Sequence, residues 1–523
     1  CHGPGEAHVS YYEKGEKGGR PPFYMTSDMS SVELVDKCAR CHSRRGQLTS
    51  HFDYQGEFLD HYDPSLIVDG VYEKDGQIKD EDYVWGSFVQ SKMYHNDVSC
   101  KDCHNVHSLK LKKEGNQLCL QCHDANFDSP GHHFHEKNSD AGQCINCHMT
   151  GKTYMGNDFR RDHSFRVPRP DQSLAYDTPN ACNGCHQDKS AKWASDFIQS
   201  KYGDERPKHF SDKLLAGYHG DKQKLFELIE DQSFPDIARA TALSYAVGLI
   251  QRSDVERVKR LLKDASALVR NQAVILISQI DGQGQMIPEM TSLMADTSRL
   301  VRISAAKYFN RMSPSHQASQ LFARAMDENL TAMKTQSDFP GGQFAMAIYY
   351  DEKGNVIEAE RAYRRTLDID NFYNQARMNL ALLLYKQGNV EEAVELYLKV
   401  IEQEPEYGQS YYMLGLLYHE LGDVAAALTY LNTACSKLPA NDRAFYNYAL
   451  LLQQKGEYQQ SVQVLREGNA LFPDHEEMIY VQLIGEMKLG NTVAAKSTIE
   501  QLLRLSPQHP TYLKIQQQIQ TSK

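Results

Sequence analysis

Five times in the first 186 residues, two cysteines separated by two residues are followed at once by histidine. The motifs are Cys38-Ala39-Arg40-Cys41-His42, Cys100-Lys101-Asp102-Cys103-His104, Cys119-Leu120-Gln121-Cys122-His123, Cys144-Ile145-Asn146-Cys147-His148 and Cys182-Asn183-Gly184-Cys185-His186. Two thiols at that spacing can add to the two vinyl groups of one haem. The imidazole that follows then lies under the ring and ligates the iron. Zinc ribbons, disulfide frameworks and thioredoxin-type redox pairs use similar cysteine spacings without needing the histidine. With 21 histidines in 523 residues, chance would place one after all five pairs about once in 10⁷ trials, so the pattern reads as covalent haem c attachment.

The chain opens on Cys1-His2-Gly3-Pro4-Gly5. Because His2 follows Cys1 as histidine follows the second cysteine of every complete motif, Cys1 and His2 are expected to end a sixth attachment motif. A lipid-bearing first cysteine is the other reading. His2, His42, His104, His123, His148 and His186 are the expected proximal ligands. Nine further histidines share the region: His8, His51, His61, His95, His107, His132, His133, His135 and His163. Supply therefore exceeds the six distal positions that six bis-histidine irons would need. Methionine, the usual competitor, is sparser, with Met25, Met29, Met93, Met149 and Met155 at hand. His107 stands three residues after His104 and cannot easily reach the far face of the same ring, so it is expected to serve a neighbour. His8 is expected to do likewise. His163 can be oriented by Asp162 or a backbone carbonyl. His95, His133 and His135 complete the expected distal set, and the choice among His51, His61, His95, His132, His133 and His135 stays open. Arg40, Arg44, Arg45, Arg160 and Arg161 could pair with haem propionates or simply face solvent.

Eleven of the 12 cysteines and 15 of the 21 histidines lie at or before His186, so the elements that hold these groups differ from the rest of the chain. The early segment is polar, with few sustained apolar periods, and is expected to bury little core of its own. Stacked porphyrins would organise it, with short helices at the motifs and long loops between. Trp193, Phe197 and Tyr202 recur at helical spacing and suggest one amphipathic helix closing the region. A repeat of 32 or 33 residues follows, aligning Leu228-Ile229-Glu230-Asp231, Leu261-Leu262-Lys263-Asp264 and Leu293-Met294-Ala295-Asp296. It looks like HEAT-type repeats, with the aspartates capping helices. From Gly341 the period is 34, carried by glycines at 354, 388, 422, 456 and 490 and by small residues five positions later. Five tetratricopeptide repeats are expected. Cys435 should be a small packing residue on one of them. The fold class is thus mostly α, a haem-organised domain over 1–205, HEAT-like repeats over 206–335 and a tetratricopeptide α-solenoid over 336–523.

Net charge is -11, with 57 basic and 68 acidic side chains, which gives no basic field for a nucleic-acid partner. No apolar run is long enough to span a membrane.

The arrangement resembles a family of exported multihaem c-type cytochromes with C-terminal HEAT-like and tetratricopeptide repeats. The resemblance runs through Cys1-His2-Gly3-Pro4-Gly5, Cys38-Ala39-Arg40-Cys41-His42-Ser43-Arg44-Arg45, His132-His133-Phe134-His135 and Asp162-His163-Ser164-Phe165-Arg166-Val167-Pro168. The opening is also similar to the haem motif of the cytochrome c554-like and octahaem oxidoreductase group, which implies His8 as a distal ligand. Family members tend to carry further motifs upstream. The resemblance implies electron transfer between redox partner proteins, export to the periplasm or cell exterior, and docking or self-assembly into an oligomer or filament through the repeats. An enzyme reducing small nitrogen or sulfur oxyanions at an open-site haem is the alternative. The abundance of spare histidines and the absence of a Cys-x-x-Cys-Lys variant favour transfer.

Overall fold

The computed structural model describes residues 5–15, 29–50, 56–281, 284–309 and 319–521. Cys1, His2, His51 and Met25 lie outside the described residues. The chain is mostly helical. Its sheet, among the described residues, is three two-stranded antiparallel ribbons. It divides into two compact units, 1–336 and 337–523.

In the first unit each complete motif sits on a short helical element. These are Ser31–His42, Cys100–Cys103, the 3-10 helix Gly115–Gln121, Cys144–His148 and Ala181–Cys185. Helices this short are marginal alone, so local side chains fix several of them. Ser30 and Glu33 form a capping box: the Ser30 N–H donates to Glu33 Oε2 at 2.8 Å and the Glu33 N–H to Ser30 Oγ at 3.3 Å. Ser99 and Asp102 repeat the device before Cys100, and Asn180 accepts the Asn183 N–H at 3.1 Å before Cys182. The expected closing helix is Ala191–Tyr202.

Composition suggested almost no core before His186, and residues 29–91 depart from that. Leu34, Val35, Phe58, Ile67, Tyr72, Trp85, Phe88 and Val89 are buried there. The reason is a wall supplied by later helices. The Ile67 N–H donates to Thr241 Oγ1 at 3.0 Å, the Tyr245 hydroxyl donates to the Ile67 carbonyl at 3.2 Å, and the Arg299 N–H donates to Asp60 Oδ1 at 2.7 Å. From 92 to 169 the expectation holds better, since Tyr154 is the one buried hydrophobic side chain. That stretch carries three of the five motifs.

Helices Phe210–Tyr218, Lys222–Glu230, Asp236–Tyr245, Val255–Leu261, Ala267–Ile280, Ile287–Leu293, Arg299–Phe309 and Gln320–Thr335 complete the unit. The aspartates expected as helix caps do something different. Asp264 and Asp296 accept the N–H of Ser266 and Ser298 in the turns before two of these helices, at 2.9 and 2.8 Å. Each also receives an arginine from the preceding repeat. Arg239 pairs with Asp264, and Arg270 grips Asp296 with two 2.8 Å bonds. Arg302 holds Glu328 in the same way at 2.9 and 2.8 Å. Arg270 and Arg302 also donate to the turn carbonyls of Asp264 and Asp296, both at 2.8 Å, so a ladder of charge runs up the stack.

The second unit is five helix pairs and a final helix. The pairs are Pro340–Glu352 with Val356–Ile369, Asn374–Lys386 with Val390–Gln403, Gly408–Glu420 with Val424–Ser436, Asp442–Gln454 with Tyr458–Leu471, and Glu476–Lys488 with Thr492–Leu505; Pro510–Thr521 closes it. The glycine column stands two residues past each first helix with φ between +70° and +87°, a conformation that costs glycine little. The small-residue columns lie at the helix contacts: Ala347, Ala359, Ala381, Ala393, Ala427 and Ala449 are fully buried. Cys435 packs half-buried against the cluster of Leu431, Tyr448 and Leu452, and burial pushes its thiol up to about 12.

Candidate haem site

None of the ten thiols of the complete motifs is in a disulfide. The Cys100 thiol, within hydrogen-bond reach of Cys38, lowers the pKa of the Cys38 thiol. Burial pushes Cys119 and Cys147 up to about 11.

The histidines show how the chain aims imidazole nitrogen. His148 Nδ1 lies 2.8 Å from the Arg166 carbonyl, His163 Nδ1 2.9 Å from the Arg161 carbonyl, and His135 Nδ1 2.6 Å from the His133 carbonyl. A carbonyl can only accept, so in the neutral rings Nδ1 carries the proton and Nε2 keeps its lone pair. His132 is held by Tyr202, whose hydroxyl donates to the His132 carbonyl at 2.8 Å and stands 3.2 Å from its Nδ1. Burial lowers the pKa of His104, His132, His148 and His163 and favours the neutral form, which is the ligating form.

Three motif histidines each lie beside a second imidazole. The ring centres of His104 and His163 are 6.5 Å apart with planes at 22°, and those of His132 and His148 are 6.2 Å apart at 7°. His135 and His186 are 6.0 Å apart at 24°. Two imidazoles on opposite sides of one iron, each bonded at about 2 Å, have ring centres about 6 Å apart. The residues present therefore fit a bis-histidine haem at three motifs. Among the described residues no three or more of His, Cys, Asp and Glu converge as they would on a lone metal ion.

The other expected ligands are placed differently. His95 and His107 are exposed, as are the motif histidines His42 and His123. His8 is half-buried, edge-on to Tyr12. His61 is 5% exposed with Nδ1 3.0 Å from Thr49 Oγ1. His133 has its ring centre 6.4 Å from that of His135, and its Nε2 is buried without a protein partner. His132, which sequence could not separate from its neighbours, is the member of that run that meets His148. Its signal was Tyr202, visible in sequence only as part of an amphipathic face.

The arginines bind protein groups. Arg161 donates to the Ile145 and Met149 carbonyls at 3.1 and 3.0 Å and to Asn146 Oδ1 at 2.9 Å, clamping the Cys144–His148 helix. Arg160 pairs with Glu81 and Asp158, Arg44 donates to the Glu81 carbonyl, Arg40 to the Gly56 carbonyl, and Arg45 lies over the Tyr62 ring. Arg166, given no role of its own in the sequence reading, orients His148 through its carbonyl while its guanidinium pairs with Asp75 at 3.1 Å.

Comparison with known proteins agrees at the level of parts. The doubled CXXCH motif family matches residues 94–127, which contain the second and third motifs. The tetratricopeptide repeat family matches residues 344–408, 381–442 and 412–476. No curated protein matches the chain. Among solved structures, YrrB, described as a tetratricopeptide repeat protein with an unusual peptide-binding site, is 18% identical over 36% of this chain and 96% of its own, with a TM-score of 0.29. PilF of Pseudomonas aeruginosa is 18% identical over 45% of this chain and 100% of its own, with a TM-score of 0.32. MamA is 18% identical over 34% and 96%, with a TM-score of 0.29. The molecule thus joins a c-type-haem element to a tetratricopeptide unit of the kind that mediates protein–protein contact. Among the described residues no helix is long and apolar enough to cross a membrane.

Proposed function

We propose that this protein transfers electrons through covalently bound c-type haems held mostly between two histidines. The observation that carries the reading is the set of three imidazole pairs, each with its members about one iron's span apart, each built on a Cys-x-x-Cys-His motif. The paired motif thiols would hold the haem through two thioether bonds, each formed by adding S–H across a vinyl group with nothing lost. The bound haem supplies a one-electron iron couple. His104, His148 and His186 would hold the iron of their motifs, each with the imidazole beside it, His163, His132 and His135, as the second ligand. His42 and His123 would be the proximal ligands in their own motifs. The carbonyls of Arg161, Arg166 and His133 keep three of these imidazoles aimed in both oxidation states, which lowers the rearrangement that electron transfer requires.

Residues 1–205 form the haem domain in this reading, 206–335 a HEAT-like brace, and 336–523 a docking solenoid for redox partners or further copies of the chain. Haem c is attached outside the cytoplasm, so the protein works in the periplasm or at the cell exterior. Magnetic and optical spectroscopy of the oxidised, haem-loaded chain tests the reading. Low-spin signals for most of the haems are expected. A dominant high-spin signal that shifts with nitrite or hydroxylamine would replace electron transfer with catalysis.

A further inference from the structure

The hairpin that leaves the second motif has an unusual surface. Its strands, His104–Asn105 and Lys110–Leu111, pair antiparallel, and the Lys112 N–H donates to the Cys103 carbonyl at 2.9 Å. Asn105 Oδ1 holds the turn, accepting the N–H of His107 at 3.1 Å and of Ser108 at 3.2 Å. At the end of that turn Leu109 takes φ +58°, a left-handed conformation that leucine seldom adopts. The residue is nonetheless 88% exposed, with Val106 at 46% and Leu111 at 51%. Apolar side chains gathered on a polar surface in this way mark a contact site. Charge surrounds them. From Cys100 to Lys113 the chain sets Lys101, Lys110, Lys112 and Lys113 against one carboxylate, Asp102. Asp102 is already engaged, accepting the Ser99 N–H at 2.7 Å and its hydroxyl at 2.8 Å. Lys110, Lys112 and Lys113 are exposed, and among the described residues no ion pair joins any of the four lysines to a carboxylate. This local excess of positive charge stands on a chain of net charge -11.

Register separates the two faces of the ribbon. His104 is the partner of Leu111 and Asn105 of Lys110, so His104 and Leu111 share one face while Asn105 and Lys110 share the other. The His104 face is the one a haem would occupy, and the Lys110 face is turned away from it. We propose that this hairpin docks an acidic redox protein, with Leu109 as the apolar contact and Lys110, Lys112 and Lys113 as its charged rim, so that electrons cross at the second motif. The proposal rests on the haem reading above and adds the place and the chemistry of the contact. An acidic occupant follows from the unpaired lysines, since opposite charge steers encounter and fixes orientation. A ribbon this short buries little area, as suits the brief encounters of electron transfer.

Reduced flavodoxin, an acidic one-electron carrier, is the probe, mixed in stopped flow with the full haem-loaded chain. The bimolecular rate of haem reduction should fall as salt rises. The double variant Lys110→Glu, Lys112→Glu should lower the low-salt rate about tenfold or more and flatten its salt dependence, with haem mass and optical spectrum unchanged. Leu109→Ser should slow the reaction at every salt concentration. The comparison is Lys263→Glu, Lys334→Glu, the same change of net charge at two exposed lysines elsewhere, which should leave the rate nearly unaltered. An equal loss in that comparison, or no loss in the hairpin double variant, would overturn the proposal. It also fails if the rate holds while the hairpin variant loses binding to phosphatidylglycerol vesicles or loses a dimer, results that assign the hairpin to a lipid surface or a second copy. Should the variant not accumulate, lysine cross-linking of the wild-type chain to oxidised flavodoxin decides. Links at Lys110, Lys112 or Lys113 are expected, and links confined to residues 206–523 would refute the site. A chain without haem mass defeats the haem reading, whereas a haem-loaded chain with an unshifted rate defeats the hairpin alone.

Discussion

Replacing His163 by alanine should convert one haem from low to high spin without releasing it. Cys100 and Cys103 keep the ring attached and His104 keeps one axial bond, while the opposite imidazole, 6.5 Å away between ring centres, is gone. The site is one of five complete motifs, so about a fifth of the low-spin intensity should move to high spin. The fold should survive: the lost His163–Arg161 hydrogen bond of 2.9 Å is worth about 1 kcal/mol. Electron paramagnetic resonance of the oxidised protein reads the change, and added imidazole should restore the low-spin signal. His163→Met should stay low-spin and raise one potential. His107→Ala, at an exposed position, is the comparison. An unchanged spectrum for His163→Ala, or the same fifth lost from His107→Ala instead, would refute the pairing.

Other expectations concern the scaffold. Arg270→Ala strips the Asp296 carboxylate, 8% exposed, of its two 2.8 Å bonds and should cost about 3 kcal/mol in denaturant unfolding. Arg443→Ala, whose partner Glu477 is as exposed as itself, should cost less than about 0.5 kcal/mol. Gly415→Ala places a methyl 2.6 Å from Leu431 Cγ, and melting should reveal about 1–3 kcal/mol of overpacking. Glu230 is held below the usual carboxylate range by its hydrogen bonds to Arg257. Its contribution is therefore present above the ordinary carboxylate pKa and fades as pH falls through the lower folded value. Arg257→Gln should flatten that part of the acid-unfolding profile.

How far the sequence speaks depends on whether a feature is local. The motif helices, the closing helix Ala191–Tyr202 and the glycine column at 354 to 490 follow from short-range spacing, and each was legible. The ligand run His132-His133-Phe134-His135 was visible as a cluster, but which ring meets which iron depends on Tyr202 and on the His133 carbonyl, contacts that spacing does not encode. The core around Phe58, Tyr72 and Trp85 was hidden for the same reason. Its far wall comes from Thr241, Tyr245 and the Arg299 helix, more than 170 residues away. The repeated aspartates were visible too, yet their role as anchors for Arg239 and Arg270 required knowing which repeat lies above which.

The most direct measurement is the intact mass of the purified holoprotein under denaturing conditions that strip non-covalent cofactor. The thioether chemistry requires at least five haem masses to remain on the chain, with the ten thiols of the complete motifs unreactive to alkylation. A bare polypeptide mass with those thiols free, or joined to one another as disulfides, would contradict it.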